Sequence, residues 1–131
     1  MQKIDTICIV DDDPIHIFTT KQVLQKEAVC KHLISFPNGK DAYEVLSAAA
    51  QAGEPLPDLI LLDLNMPIWD GWDFLDEFSK LSLPKNIPIY IVSSSNHPDD
   101  LQKATQYPIV SQFLLKPLTA DKIRSWFSNT Q

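Results

Sequence analysis

Polar residues of a few chemically useful types stand where apolar runs stop. Asp11, Asp12 and Asp13 follow IDTICIV, Asp63 ends DLILLD, Ser93 follows IYIV, and Lys116 follows QFLL. Carboxylates gathered at one place repel each other and are costly unless a cation neutralises them. Oxygen donors with room left for water and phosphate oxygens suit Mg²⁺ better than zinc. A carboxylate beside such an ion, with an ammonium and a hydroxyl near, can attack phosphorus while the positive groups offset charge on the transferring oxygens. The product would be an acyl phosphate. A plainer reading of Asp11–Asp13, a helix cap with solvated neighbours, also stands, and Asp13 is the expected cap in either case. Asp63 fits a plain reading less well, because an unpaired carboxylate at the buried end of an apolar strand is expensive.

Strands must deliver these residues to one place. Ile4–Val10 is short, rich in β-branched residues and stopped by acids, which predicts a buried strand. Leu33–Phe36, Asp58–Asp63, Ile87–Val92 and Gln112–Leu115 are the expected strands two to five. Helical spacing marks the segments between them. Pro14 to about Glu27 carries Ile15, Phe18, Val23 and Leu24 as its apolar residues, with Pro14 in the first turn. Ala42, Val45, Leu46 and Ala49 mark the second helix, after the turn Pro37-Asn38-Gly39. Trp72, Leu75, Phe78 and Leu81 mark the third. Pro98 to about Tyr107 is a weaker fourth, which Pro108 should end early. Thr119 can cap a fifth, carrying Ile123, Trp126 and Phe127.

This five-fold alternation implies an α/β fold, a doubly wound five-stranded parallel sheet with helices on both faces. In the order 2-1-3-4-5, strands one and three are neighbours, so Asp11–Asp13 and Asp63 would converge at the carboxyl edge, where open α/β sheets bind ligands. Residues 1–131 fit one domain, and no output domain is expected. A formal net charge of −6 argues against sequence-independent nucleic-acid binding, which needs a basic surface. No apolar run is long enough to span a membrane, and no signal-peptide layout opens the chain. Cys8 and Cys30 are far apart in apolar surroundings and are expected to be reduced, buried thiols of a cytoplasmic protein. His16, His32 and His97 show no ligand spacing and are expected to be structural or exposed. Trp72 is expected in the core and Trp69 exposed on the loop.

VDDDP (10–14), LLDLNMPIWDG (61–71), IVSSSN (91–96) and FLLKP (113–117), in this order and at these strand ends, closely resemble the receiver domain of two-component response regulators. The resemblance covers essentially the whole chain and implies a flavodoxin-like (βα)₅ receiver of the stand-alone type. It implies that Asp63 is the phosphoacceptor, and that Asp11, Asp12, Asp63 and the Asn65 backbone carbonyl hold Mg²⁺. Ser93 and Lys116 would contact the phosphoryl group, and Ser93 and Phe113 would form the switch that alters the helix 4/strand 5 surface. Implied partners are a sensor histidine kinase or histidine phosphotransfer protein and an unidentified downstream protein, with no direct nucleic acid and no membrane insertion. The domain would catalyse its own Mg²⁺-dependent phosphorylation and dephosphorylation without being a conventional enzyme.

Two departures bear on these expectations. Phe113 lacks the hydroxyl of the tyrosine often found there, and KATQYPIVSQFLL replaces the usual small-residue turn before strand five. A haloacid-dehalogenase-type phosphatase would also use a D-x-D pattern. It needs Gly-Thr after that pattern and an acidic pair after the lysine, and here only Asp121 follows Lys116.

Overall fold

A computed structural model describes residues 4–95 and 97–129, with side chains as far as Trp126. Five strands alternate with five helices: β1 (Ile4–Val10), α1 (Pro14–Lys26), β2 (Cys30–Phe36), α2 (Gly39–Ala52), β3 (Leu59–Leu62), α3 (Gly71–Phe78), β4 (Ile89–Ser93), α4 (Pro98–Ala104), β5 (Val110–Leu115) and α5 (Ala120–Asn129). All pairings are parallel and the order is β2-β1-β3-β4-β5, as the sequence predicts.

Strand alternation divides the core in two. Cys8, Val10, Ile60, Leu62, Ile89 and Ile91 face α2, α3 and α4, where Leu46, Phe74, Phe78 and Ala104 meet them. Ile7, Ile9, Leu59, Leu61, Tyr90 and Val92 face the other way, onto Leu24 of α1 and Ile123 and Trp126 of α5. A strand covered on both faces has no polar side to show, which is why β3 is an unbroken Leu-Ile-Leu-Leu, buried throughout. The side chain of Phe127, expected beside Trp126, lies outside the described residues.

The differences from expectation have local causes. The edge strands begin earlier than predicted, β2 at Cys30 and β5 at Val110, because their first turns carry exposed Lys31, His32, Ser111 and Gln112 and give no apolar signal. β4 starts at Ile89, after Pro88, whose nitrogen cannot donate to the ladder. α3 stops at Phe78, leaving Leu81 beyond it but packed on the core. α4 stops at Ala104, and tighter i→i+3 bonds at Thr105, Gln106 and Tyr107 carry the chain to Pro108.

The largest correction concerns α1. Ile15 and Phe18 are 73% and 60% exposed, so they do not form its inner face. The inward column is His16, Thr20 and Leu24, at i, i+4 and i+8. The helix begins directly after the acidic turn, and its first inward position holds a polar side chain because an acid must be met there.

Candidate functional site

Register brings the predicted residues together. Val10 lies opposite Leu62, and the Asp63 N–H donates to the Val10 carbonyl at 2.9 Å, so Asp11 and Asp63 are the next residues on adjacent strands. Ser93 lies opposite Leu115, and the Lys116 N–H donates to the Ser93 carbonyl at 2.8 Å. Four chain segments therefore end at one edge of the sheet.

Side chains then close the group. Asp11 is 2% and Asp63 4% exposed, and both face the Lys116 ammonium, at 3.0 Å from Asp11 Oδ2 and 3.5 Å from Asp63 Oδ1. Carboxylate oxygens of Asp11, Asp12 and Asp63 all lie within 4.8 Å of one another, with Asp12 exposed. An all-carboxylate set with one open, solvent-facing member suits a hard, oxygen-seeking divalent cation. The Asn65 backbone N–H donates to the Asp63 carboxylate. Ser93 is fully buried, and its hydroxyl accepts from the Ser95 N–H at 3.2 Å. Phe113 is half-buried on β5 against the core, two residues before the exposed Leu115. Asp13 caps α1 as expected, accepting from the Ile15 N–H at 3.0 Å.

Electrostatics separate the two buried acids. Burial and the neighbouring Asp11 charge push the Asp63 carboxyl up to about 6, against the pull of Lys116 and the Asn65 N–H. Burial also works to raise Asp11, but hydrogen bonds from His16, the Asp13 N–H and Lys116 outweigh it and hold this carboxyl below its ordinary range. Burial works to lower Lys116, and the two carboxylates more than reverse that, so the ammonium is held charged. The site thus contains one firmly ionised acid and one whose charge is disfavoured until a cation or a reaction takes it up.

The loop after β3 is built to pass close to Asp63. A side chain at Gly71 would lie 2.7 Å from the Asp63 carbonyl and 2.9 Å from Leu64 Cα, so no larger residue fits without movement. The Gly71 N–H returns to the Leu64 carbonyl at 2.9 Å, and Asp70 and Asp73 form a reciprocal capping box on α3. Trp69, expected to be exposed, is half-buried, with its ring 5.4 Å from that of Tyr43. Trp72 packs at the core margin rather than within it, stacked on Tyr107 at 5.7 Å with Lys103 above its ring.

His16 is structural, one of the two outcomes expected of it, but sequence reasoning did not place it against Asp11. Its Nδ1 lies 2.7 Å from Asp11 Oδ2 and its Nε2 3.4 Å from the buried Thr20 hydroxyl. The available signal was a histidine five residues after an acid, across a strand-to-helix turn, which is not a metal-ligand spacing.

The model of the response regulator receiver domain family matches residues 7–127. The chain belongs to this family. A two-component response regulator from Cytophaga hutchinsonii has the same fold, with 29% identity, a TM-score of 0.86, and 98% of this chain and 97% of that one covered. The Mn²⁺-bound form of response regulator Rcp1 is 27% identical with a TM-score of 0.75, over 95% of this chain and 90% of that one. Two-component response regulator ORR1 of Oryza sativa subsp. japonica is 28% identical over 120 residues, 90% of this chain and 52% of ORR1. The chain thus spans about half the length of that relative. Receiver domains of this family interact with histidine kinases or phosphotransfer proteins and are generally not conventional enzymes. Among the described residues, no helix is long and apolar enough to cross a membrane.

Proposed function

We propose that this receiver accepts a phosphoryl group on Asp63 from a histidine kinase or histidine phosphotransfer protein in the cytoplasm. One observation carries the reading: Asp11 and Asp63 end adjacent strands with the Lys116 ammonium between them. Asp11, Asp12, Asp63 and the Asn65 carbonyl would hold Mg²⁺. The ion would supply positive charge against the transferring oxygens. A divalent ion also accompanies the related Rcp1.

In the reaction, an Asp63 carboxylate oxygen attacks phosphorus, the bond from phosphorus to the donor nitrogen breaks, and an acyl phosphate forms. The donor imidazole, already protonated on its other ring nitrogen, leaves with the electron pair of the broken bond as the neutral ring. Lys116 stabilises charge on the phosphoryl oxygens, and the Ser93 hydroxyl contacts one of them. Burial of Asp63 excludes bulk water and keeps the nucleophile close to its fixed partners. Ser93 then moves with the phosphoryl group and Phe113 turns inward, altering the α4/β5 surface read by a downstream protein. Attack of water on the acyl phosphate, with the same groups in place, resets the domain.

The test is intact-mass measurement after incubation with Mg²⁺ and a small acyl-phosphate donor. Wild-type protein is expected to gain one labile phosphoryl group and Asp63→Asn none. A wild-type protein without any adduct, or an adduct retained in Asp63→Asn, would contradict the reading.

A further inference from the structure

Asp11 is nearly sealed from solvent, and three groups satisfy it. Its Oδ1 accepts from the Asp13 N–H at 2.9 Å, while Oδ2 faces both the Lys116 ammonium at 3.0 Å and His16 Nδ1 at 2.7 Å. An ionised carboxylate offers only acceptors, so Nδ1 must carry the hydrogen of that bond. The other ring nitrogen faces the Thr20 hydroxyl, which can donate or accept and so satisfies it in either role. Thr20 is itself buried, a polar residue on the inward column of α1 between His16 and Leu24. The ring is therefore fixed at both ends, on a helix, against a carboxylate that belongs to the acidic cluster.

We propose that His16 is a positioning residue for divalent-cation binding, orienting the Asp11 carboxylate through Nδ1 with Thr20 holding the ring. This inference rests on the receiver reading above. Its chemical logic lies in the shared oxygen. Lys116 serves both acids, and a phosphoryl group on Asp63 would draw the ammonium toward its own oxygens. Asp11 would then lose one of two donors to Oδ2 at the moment its orientation matters. His16 cannot be drawn away, because its backbone is fixed in α1, and it keeps that oxygen satisfied when Lys116 turns. Groups that hold metal-ligating side chains in place from behind typically matter about 10–100-fold in affinity.

The test compares two substitutions of matched shape. In His16→Asn, the amide nitrogen sits on Cγ as Nδ1 does and can still donate to Asp11. In His16→Leu, a methyl group takes that place. Both lose the Thr20 contact, so the difference between them reports the Asp11 bond alone. Mg²⁺ and Mn²⁺ dissociation constants would be measured by calorimetry on the unphosphorylated full chain at one pH and ionic strength, with urea midpoints as a check on folding. His16→Leu is expected to bind about tenfold more weakly than wild type, and His16→Asn within about threefold of it. A purely structural role would lower the urea midpoint without separating the two affinities. Equal affinities for wild type and His16→Leu, or equal weakening in both variants, would overturn the proposal while leaving the receiver reading intact. A wild-type protein that binds neither ion would overturn both.

Discussion

The two ends of the site edge are built differently. At the β1/β3 end, Asp11 and Asp63 are buried among paired strands, held by backbone N–H groups and a helix-anchored His16, with the Lys116 ammonium reaching in from the other end. At the β4/β5 end the construction is looser. α4 has seven residues, β5 is half-exposed along its length, and the β4/β5 pairing slips its register between Ile89 and Tyr90. Ala104 is the one buried residue of α4, and the rest of its anchorage is peripheral, with Tyr107 just beyond the helix stacked on Trp72, its hydroxyl 2.6 Å from Asp76, and Lys103 over the indole. Low local stability belongs where a surface must change, and rigid burial where atoms must be held for chemistry. On the proposed reading, the buried acids sit on the rigid side and the surface a partner would read lies on the looser one, with Ser93 and Lys116 linking the two.

Four substitutions or conditions would break or sharpen that contrast. The largest effect is expected from Asp63→Asn, which removes phosphoryl acceptance altogether. It should also stabilise the metal-free protein at pH 7. The folded-state carboxyl is raised to about 6 from an ordinary value near 3.8, so between those values the folded form holds a proton that the unfolded chain has lost. Stability from this group therefore falls as pH rises from about 4 to about 6, and Asn escapes that loss. A gain on the order of 1–3 kcal/mol at pH 7, absent at pH 4, is expected in urea unfolding. No difference between the two pH values would mean that Asp63 is not held under electrostatic strain.

Gly71→Ala should come next. The added methyl would press on the backbone of Asp63 and Leu64, a contact that only main-chain movement can relieve. A loss of about 1–3 kcal/mol is expected, with weakened cation binding, because the strain enters directly behind the acidic pair. Divalent-cation affinity should itself fall with acidity. A proton and a cation compete for Asp63, and with its carboxyl near 6, affinity at pH 5 is expected about tenfold below that at pH 7. Calorimetry at the two pH values checks this. Tyr107→Phe should have the smallest effect. It deletes an exposed hydrogen bond to Asp76 and should cost no more than about 1 kcal/mol. Its consequence should be local, as faster amide exchange in α4 with unchanged exchange in β1 and β3. Matching increases at both ends would erase the distinction drawn here.

Much of this is legible in the sequence, and the reasons differ by residue. Asp63 and Lys116 could be placed because each ends an apolar run, and the alternation of such runs with helical segments gave the parallel sheet. Ser93 could be placed because β4 is apolar up to it. The faces of α1 were not legible. Ile15 and Phe18 follow a helical spacing, yet they point outward, because what the inner face meets first is Asp11 rather than apolar surface. Hydrophobic spacing detects apolar neighbours and is blind to a polar one. The contact of His16 with Asp11 was missed for the same reason, since its partner is five residues away across a change from strand to helix. The early starts of β2 and β5 were hidden by exposed polar residues, as happens on edge strands.

The most direct measurement asks which aspartate carries the phosphoryl group. Borohydride reduces an aspartyl phosphate to homoserine, marking the acceptor permanently for peptide mapping. After Mg²⁺-dependent phosphorylation, homoserine is expected at position 63 and nowhere else. Homoserine at position 11 or 12, or a modified protein with aspartate intact at 63, would contradict the assignment.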